Sequence, residues 1–92
     1  MEVRFYANFR ALVGGKSVEV PLEAGARAAD LLRALVMRYP ALEAKLLAEG
    51  GAVRDHVRVF VNGHDLATLP GGTETVLSPG DAVDIFPPIG GG

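Results

Sequence analysis

Cysteine is absent from this chain of 92 residues, and its absence excludes several kinds of chemistry together. Without cysteine the chain has no disulfides, no thiolate ligands for a metal and no cysteine nucleophile. A chain of 92 residues also exceeds the roughly 70 to 80 residues below which small folds usually need such cross-links. Because 49% of the residues are hydrophobic, we expect one domain with one core.

An excess of positive charge is lacking too, since nine Lys and Arg residues stand against eleven Asp and Glu. A protein that binds the phosphate backbone of nucleic acid needs a basic surface, so nucleic acid is not an expected partner. No stretch approaches the roughly 20 apolar residues of a membrane span, and Met1–Arg4 leads into an alternating pattern, not a signal segment. We expect a soluble, cytoplasmic protein that does not bind membranes.

Side chains that could carry catalysis are few and scattered. His56 and His64, the only histidines, flank a predicted strand and turn, which does not give the spacing of a helical metal site. No hydroxyl residue lies in a nucleophile-elbow pattern. Asp81 and Asp84 are close in sequence, but no apolar pocket is indicated that would separate their pKa values, so we expect solvated carboxylates. The sequence predicts no catalytic side chains, no metal site and no bound cofactor.

The first half of the chain predicts a hairpin followed by helices. Segments 3–7 and 18–22 each alternate apolar and polar residues, with Ala7 among the inward positions, and a Gly14-Gly15 turn lies between them. From Ala28 to Tyr39 the apolar residues recur at helical spacing, although no capping residue precedes them. Pro40 ends this helix and can begin a short second one through about Ala48.

The second half predicts three more strands. Valines alternate over segment 57–61, and Asn62-Gly63 suits a tight hairpin turn, followed by a short return strand within 65–69. A turn at 78–81 precedes a final strand marked by Val83 and Ile85. This order of elements predicts an α+β roll, with one sheet and its helices packed on a single face.

The last residues of the chain differ from the rest in composition. Pro87 and Pro88 favour extended backbone, and three glycines follow Ile89. Residues 87–92 span roughly 20 Å at about 3.3 Å each, and glycine has no Cβ to obstruct a narrow channel. We therefore predict a domain over residues 1–86 and an extended, flexible tail over 87–92 that enters a partner's active site. The alternative is a frayed terminus or a cloning remnant.

Four segments carry a resemblance to a known family: 3–14, 57–63, 77–85 and the Phe-Pro-Pro-Ile-Gly-Gly-Gly sequence of 86–92. With them the chain resembles the ubiquitin-like sulfur carriers of the MoaD-like and ThiS-like family, and most of all the small subunit of molybdopterin synthase. The resemblance covers nearly the whole chain. It implies a β-grasp fold, that is, a mixed sheet in which the first and last strands lie parallel at the centre.

The resemblance also implies a chemistry at Gly92. An α-carboxylate has a pKa of about 3.5, so it is ionised at neutral pH and is a poor electrophile. In the family, an ATP-dependent activating enzyme adenylates the terminal glycine, and sulfur from a sulfur donor protein then replaces AMP. The resulting thiocarboxylate donates sulfur in molybdopterin biosynthesis, together with the large subunit of molybdopterin synthase. The activating enzyme, not this chain, uses the ATP.

The residues expected to act can be assigned by position. Gly92 would hold the adenylate and the thiocarboxylate. Gly90 and Gly91 are expected to thread the partner's channel. The residues expected to dock partners are Tyr6, Phe86, Pro87 and Pro88. Tyr6 and Phe86 match aromatic docking positions of the family, and Tyr6 should face away from Val3 and Phe5; ordinary packing is the alternative for both.

Other functions of the same terminus remain open at this point. Gly92 could be joined to lysines of target proteins, as in a ubiquitin-like modifier. Related carriers serve thiazole synthesis or transfer-RNA thiolation, and a plain binding module would need no free terminus at all.

Overall fold

The computed structural model describes residues 1–88, in which five strands form a single mixed sheet. The strands are β1 (Glu2–Phe5), β2 (Ser17–Glu19), β3 (Arg58–Val61), β4 (His64–Asp65) and β5 (Ala82–Phe86). The helices are α1 (Phe9–Val13), α2 (Ala28–Arg38) and α3 (Glu43–Leu46), with 3-10 turns at Pro40–Leu42, Glu49–Gly51, Leu66–Thr68 and Gly72–Glu74.

The order of the strands across the sheet is β2-β1-β5-β3-β4. The first and last strands are parallel neighbours, with Val3 opposite Val83 and Phe5 opposite Ile85. All other pairs are antiparallel. This arrangement confirms the predicted β-grasp fold and places β5, from which the tail leaves, in the middle of the sheet.

One face of the sheet is covered by α2 and by the segment that contains α3. Helix α2 contributes Leu31, Leu32 and Leu35, which are at most 2% exposed, to the same cluster as the inward side chains of β1, β3 and β5. Within residues 1–88, no polar or charged residue is buried, and the buried residues of this cluster are all hydrophobic. Apolar burial is therefore the main stabilising interaction on this face.

The predicted main helix is confirmed over Ala28–Arg38, and it ends just before Tyr39 and Pro40 as expected. No capping residue precedes the helix, but a residue inside it supplies the cap: the Asp30 carboxylate accepts the backbone N–H of Arg27 at 2.9 Å. A carboxylate in the first turn also interacts favourably with the helix dipole.

The connection between β1 and β2 differs from the predicted one. The chain does not run directly into the Gly14-Gly15 turn, because α1 lies between the strands, buries Phe9 and Val13 and ends at Gly14 with a φ of 79°. Ala7, predicted to face inward, is exposed and has a φ of 50°, since the chain turns there to enter α1. A helix of five residues is too short to show a helical period in the sequence.

Two further predictions are corrected in their extent. The second helix begins as a 3-10 turn at Pro40 and ends at Leu46, because Leu47 is extended and bridges to Val53. The return strand is only His64–Asp65; the Asp65 carboxylate then accepts the N–H of Ala67 at 2.9 Å and starts a 3-10 turn in place of the predicted strand over 65–69. The Asn62-Gly63 turn is as predicted, with φ of 51° and 82°.

Candidate functional site

The face of the sheet opposite the helices carries aromatic and charged side chains. We call it the aromatic face and define it by Arg4, Tyr6, Arg58, Phe60, Asp84 and Phe86. Side chains alternate along a strand, so burial of Val83 and Ile85 on one side directs Asp84 and Phe86 to the other. Tyr6, Phe60 and Phe86 are half-buried on this side of the sheet. They shield one another, and Arg10 of α1 also lies over the Tyr6 ring.

The three aromatic rings are in contact with one another. Tyr6 and Phe86 stack with their ring centroids 4.1 Å apart and an angle of 9° between the planes. Phe60 meets the same Phe86 ring edge-on, at 5.6 Å and 88°. Such pairs stabilise by about 0.5–1.5 kcal/mol beyond the area that they bury. Tyr6 lies on the side of β1 opposite Val3 and Phe5, as predicted. The structure brings it into contact with Phe86, the other aromatic residue predicted to dock partner proteins.

Asp84 links the charged and aromatic parts of this face. Arg4 donates from Nε to Oδ1 at 2.6 Å and from Nη2 to Oδ2 at 2.8 Å, and the Tyr6 hydroxyl donates to Oδ1 at 2.7 Å. The parallel register of β1 and β5 places Arg4 directly opposite Asp84, although 80 residues separate them in the chain. The expectation that Asp84 is a solvated carboxylate is wrong, because its side chain is only 13% exposed.

These contacts fix the protonation states of Asp84 and Tyr6 at neutral pH. Burial alone would raise the pKa of Asp84, but the hydrogen bonds from Arg4 and Tyr6 and the charge of Arg4 outweigh it and hold the pKa below the ordinary 3.8. The hydrogen bond to Asp84, followed by burial, raises the pKa of Tyr6 above the ordinary 10.0. Asp84 is therefore an anion, and Tyr6 is a neutral hydrogen-bond donor.

The chain leaves β5 into a groove formed by the two small helices and a loop. Pro87 is buried and Pro88 half-buried, so both residues lie against the domain. They line a groove of about 810 Å³ together with Phe9 of α1, Lys45 of α3 and the loop 52–56. The first residues after β5 therefore have a defined position beside the aromatic face.

Some predicted site residues lie beyond the part of the chain that the structure describes. Gly90, Gly91 and Gly92 are outside residues 1–88, so their roles, like the boundary at 86, stay predictions. Within the described residues, His56 and His64 are exposed, and no group of three or more possible metal ligands is present. Among the helices of residues 1–88, none is long and apolar enough to cross a membrane.

Sequence reasoning missed Arg4, Arg10, Phe60 and Asp84 as parts of this site. The guanidinium of Arg10 lies over the Tyr6 ring, 5.3 Å from its centroid, and its Nε donates to the carbonyl of Phe5 at 2.8 Å. The alternation that directed Tyr6 outward applies equally to Arg4. Its pairing with Asp84, however, follows only when the register of the two central strands is known.

Three features together define a ubiquitin-like β-grasp domain. They are the parallel pairing of the first and last strands, the single face covered by helices, and a last strand that runs into a Pro-Pro segment. The match to known families specifies it further: residues 3–92 match the ThiS family, and the chain belongs to that family.

Individual relatives agree with this assignment. The small archaeal modifier protein 3 of Haloferax volcanii is 42% identical over 92 residues, which cover 100% of this chain and 98% of that protein. The molybdopterin synthase sulfur carrier subunit of Phaeosphaeria nodorum is 32% identical over 90 residues, which cover 98% of this chain and 88% of that protein. The family to which this chain belongs thus includes ubiquitin-like sulfur carriers and protein modifiers.

A solved structure extends the comparison to complexes. A chain in the crystal structure of the Amycolatopsis orientalis BexX/CysO complex superposes with a TM-score of 0.82 and 29% identity, covering 99% of this chain and 98% of that one. At least one relative of this chain is thus found in a complex with another protein.

Proposed function

We propose that this chain is a sulfur carrier whose Gly92 is adenylated and converted to a thiocarboxylate, and that it donates this sulfur as the small subunit of a molybdopterin synthase. The observation that supports this most is the origin of the tail. It leaves from β5, the central strand, directly after Phe86 of the aromatic face. A partner that binds this face thereby receives the tail at a fixed starting point.

The chemistry requires an acceptor carboxylate and a means of delivering it, not catalytic side chains. The activating enzyme attaches AMP from ATP to the Gly92 carboxylate, which gives that carbon a leaving group. A persulfide on a sulfur donor protein then forms the C–S bond as AMP leaves, and a second thiol cleaves the S–S bond to the donor, which becomes a disulfide as the thiocarboxylate is released. The sulfur must be supplied from outside because this chain has no cysteine. Gly90 and Gly91 pass through the partner's channel, since no Cβ obstructs it there.

The aromatic face has the composition of a protein interface. Aromatic residues and arginine are enriched at interface centres, and this face has three rings together with Arg4 and Arg58. We infer that Tyr6, Phe86 and Pro88 dock first on the activating enzyme and later on the large subunit, and that Pro87, which is buried, holds the start of the tail beside them. Because both partners need the same surface and the same tail, they bind one at a time.

A second use of the same terminus is conjugation to lysines of other proteins. It is supported by the 42% identity to a protein named as a small archaeal modifier, whereas the molybdopterin role is supported by a relative at 32%. Both uses begin with the same activation, so they can coexist. Thiazole synthesis and transfer-RNA thiolation would need that activation as well. We propose that this chain acts in the cytoplasm, as its sequence predicts.

Intact mass spectrometry tests the proposal. The chain is incubated with ATP, cysteine as the sulfur source and an extract of its source organism. We expect the mass to increase by the replacement of one oxygen by sulfur, located at Gly92. The proteins of the extract are also digested and their peptides analysed. Isopeptide bonds between Gly92 and lysines of other proteins would instead identify a modifier.

Two control variants isolate the terminus. One lacks Gly91 and Gly92, and the other has a single alanine appended after Gly92. Neither change alters the core within residues 1–88, so both variants should fold like the natural chain and gain no sulfur. Sulfur gain by the shortened variant would contradict the proposal.

A further inference from the structure

Tyr6 is held from several directions, which is unusual for a side chain on an open sheet face. Phe86 stacks on one face of its ring at 4.1 Å, which leaves only the other face for the guanidinium of Arg10. The hydroxyl is fixed to Asp84 at 2.7 Å. The ring is therefore restrained in its plane by Asp84 and out of its plane by Phe86 and Arg10.

Asp84 is well placed to orient this group but poorly placed to contact a partner. Its side chain is 13% exposed, and both of its oxygens already accept hydrogen bonds. It lies on the central strand between Val83 and Ile85, which are fully buried, so its backbone is firmly held. An effect of Asp84 on recognition must therefore pass mainly through the side chains that it binds.

We propose that Asp84 is a positioning residue: by accepting the hydroxyl of Tyr6, it fixes the Tyr6–Phe86 stack in the free chain as a preformed docking surface for the activating enzyme. This inference rests on the proposed function, whose docking step it makes more specific. A side chain that is ordered before binding loses less conformational freedom on binding, so preformation favours association.

The first experiment examines the contact in the free chain. The chain has two tyrosines, so Tyr39→Phe leaves Tyr6 as the only one whose ionisation is seen by ultraviolet absorption. In that background we expect Asp84→Ala to lower the pKa of Tyr6 towards its ordinary value. Asp84→Asn should give an intermediate pKa, because the amide oxygen accepts the hydroxyl but carries no charge. An unchanged pKa in Asp84→Ala would overturn the proposal.

The second experiment measures docking by the sulfur-transfer assay in the extract. We expect Asp84→Ala to raise the concentration of chain at half-maximal thiolation roughly five- to tenfold, with the maximal rate unchanged. Asp84→Asn should recover most of this loss, and Tyr6→Phe should reproduce it. Glu2→Gln, which removes a carboxylate from the same side of β1, is the matched control and should have no effect.

Double variants show whether Asp84 acts through Tyr6. If it does, Asp84→Ala combined with Tyr6→Phe is no weaker than either single variant. Additive losses would overturn the proposal, because Asp84 would then act independently of Tyr6. Tyr6→Phe removes only a hydroxyl, so it stays informative if Asp84→Ala folds poorly.

The proposal and the function on which it rests fail in different ways. A natural chain that gains no sulfur contradicts the proposed function. A natural chain that gains sulfur, with an Asp84→Ala variant that does so at the same concentrations, contradicts the positioning role alone.

Discussion

Ile85 and Phe86 are neighbours on the central strand, and they serve opposite faces of the same sheet. Ile85 is fully buried against the helices, whereas Phe86 is half-buried among the rings of the aromatic face. On β1 the same division separates Phe5, which is fully buried, from Arg4, whose side chain is 44% exposed.

The difference shows how a small domain separates stability from recognition. The covered face excludes water with apolar side chains, which need no hydrogen-bond partners. The aromatic face keeps polar groups and rings near water, and it obtains order from stacking and from the hydrogen bonds of Asp84. Substitutions on the covered face should therefore change folding most, and those on the aromatic face should change function most.

The largest effect on stability is expected for Ile85→Ala. This side chain is fully buried in the core, so its removal loses apolar burial and leaves a cavity. We expect the free energy of unfolding to fall by about 3–4 kcal/mol. Urea unfolding followed by circular dichroism measures it, and a loss below about 1 kcal/mol would show that the covered face is not the stabilising one.

Phe86→Ala should separate the two roles most clearly. Because the ring is half-buried, we expect a smaller loss of about 2 kcal/mol in the free energy of unfolding. Thiolation should suffer more, with at least a tenfold rise in the half-saturating concentration of chain, as for a central interface residue. Comparison with Ile85→Ala at a temperature where both are folded provides the control. Thiolation equal to that of Ile85→Ala would contradict a docking role for Phe86.

Acid should weaken the ionic part of the aromatic face. The pKa of Asp84 in the folded chain lies below 3.8, so its contribution to stability is present above that pH and is lost as the pH falls through the folded value. Asp84→Asn should be less stable than the natural chain by about 1 kcal/mol at neutral pH. The two unfolding curves should converge in acid. A difference in the free energy of unfolding that did not shrink as the pH fell below the ordinary 3.8 would contradict this assignment.

The smallest effect on stability and thiolation is expected on the outer side of α2, which contacts neither the core nor the aromatic face. Met37 is 78% exposed, so Met37→Gln should change the free energy of unfolding by less than about 0.5 kcal/mol and leave thiolation unaltered. It is the baseline for the other variants. A larger change in thiolation would place a partner on the helical side of the domain.

Much of the fold could be predicted from local patterns. Alternation gave β3 and β5, the helical period gave α2, and Asn62-Gly63 gave the hairpin turn, because each signal depends only on residues close in sequence. The short elements were missed or misjudged for the complementary reason. Helix α1 and strand β4 have five and two residues, too few to show a period.

The composition of the tail and the outward direction of Tyr6 were determined by the sequence itself, since proline, glycine and strand alternation act locally. Only the tertiary structure decided that Arg4 and Tyr6 meet at Asp84 and that Tyr6 stacks on Phe86. That meeting depends on the parallel register of β1 and β5, which joins residues about 80 positions apart through the burial of their opposite face.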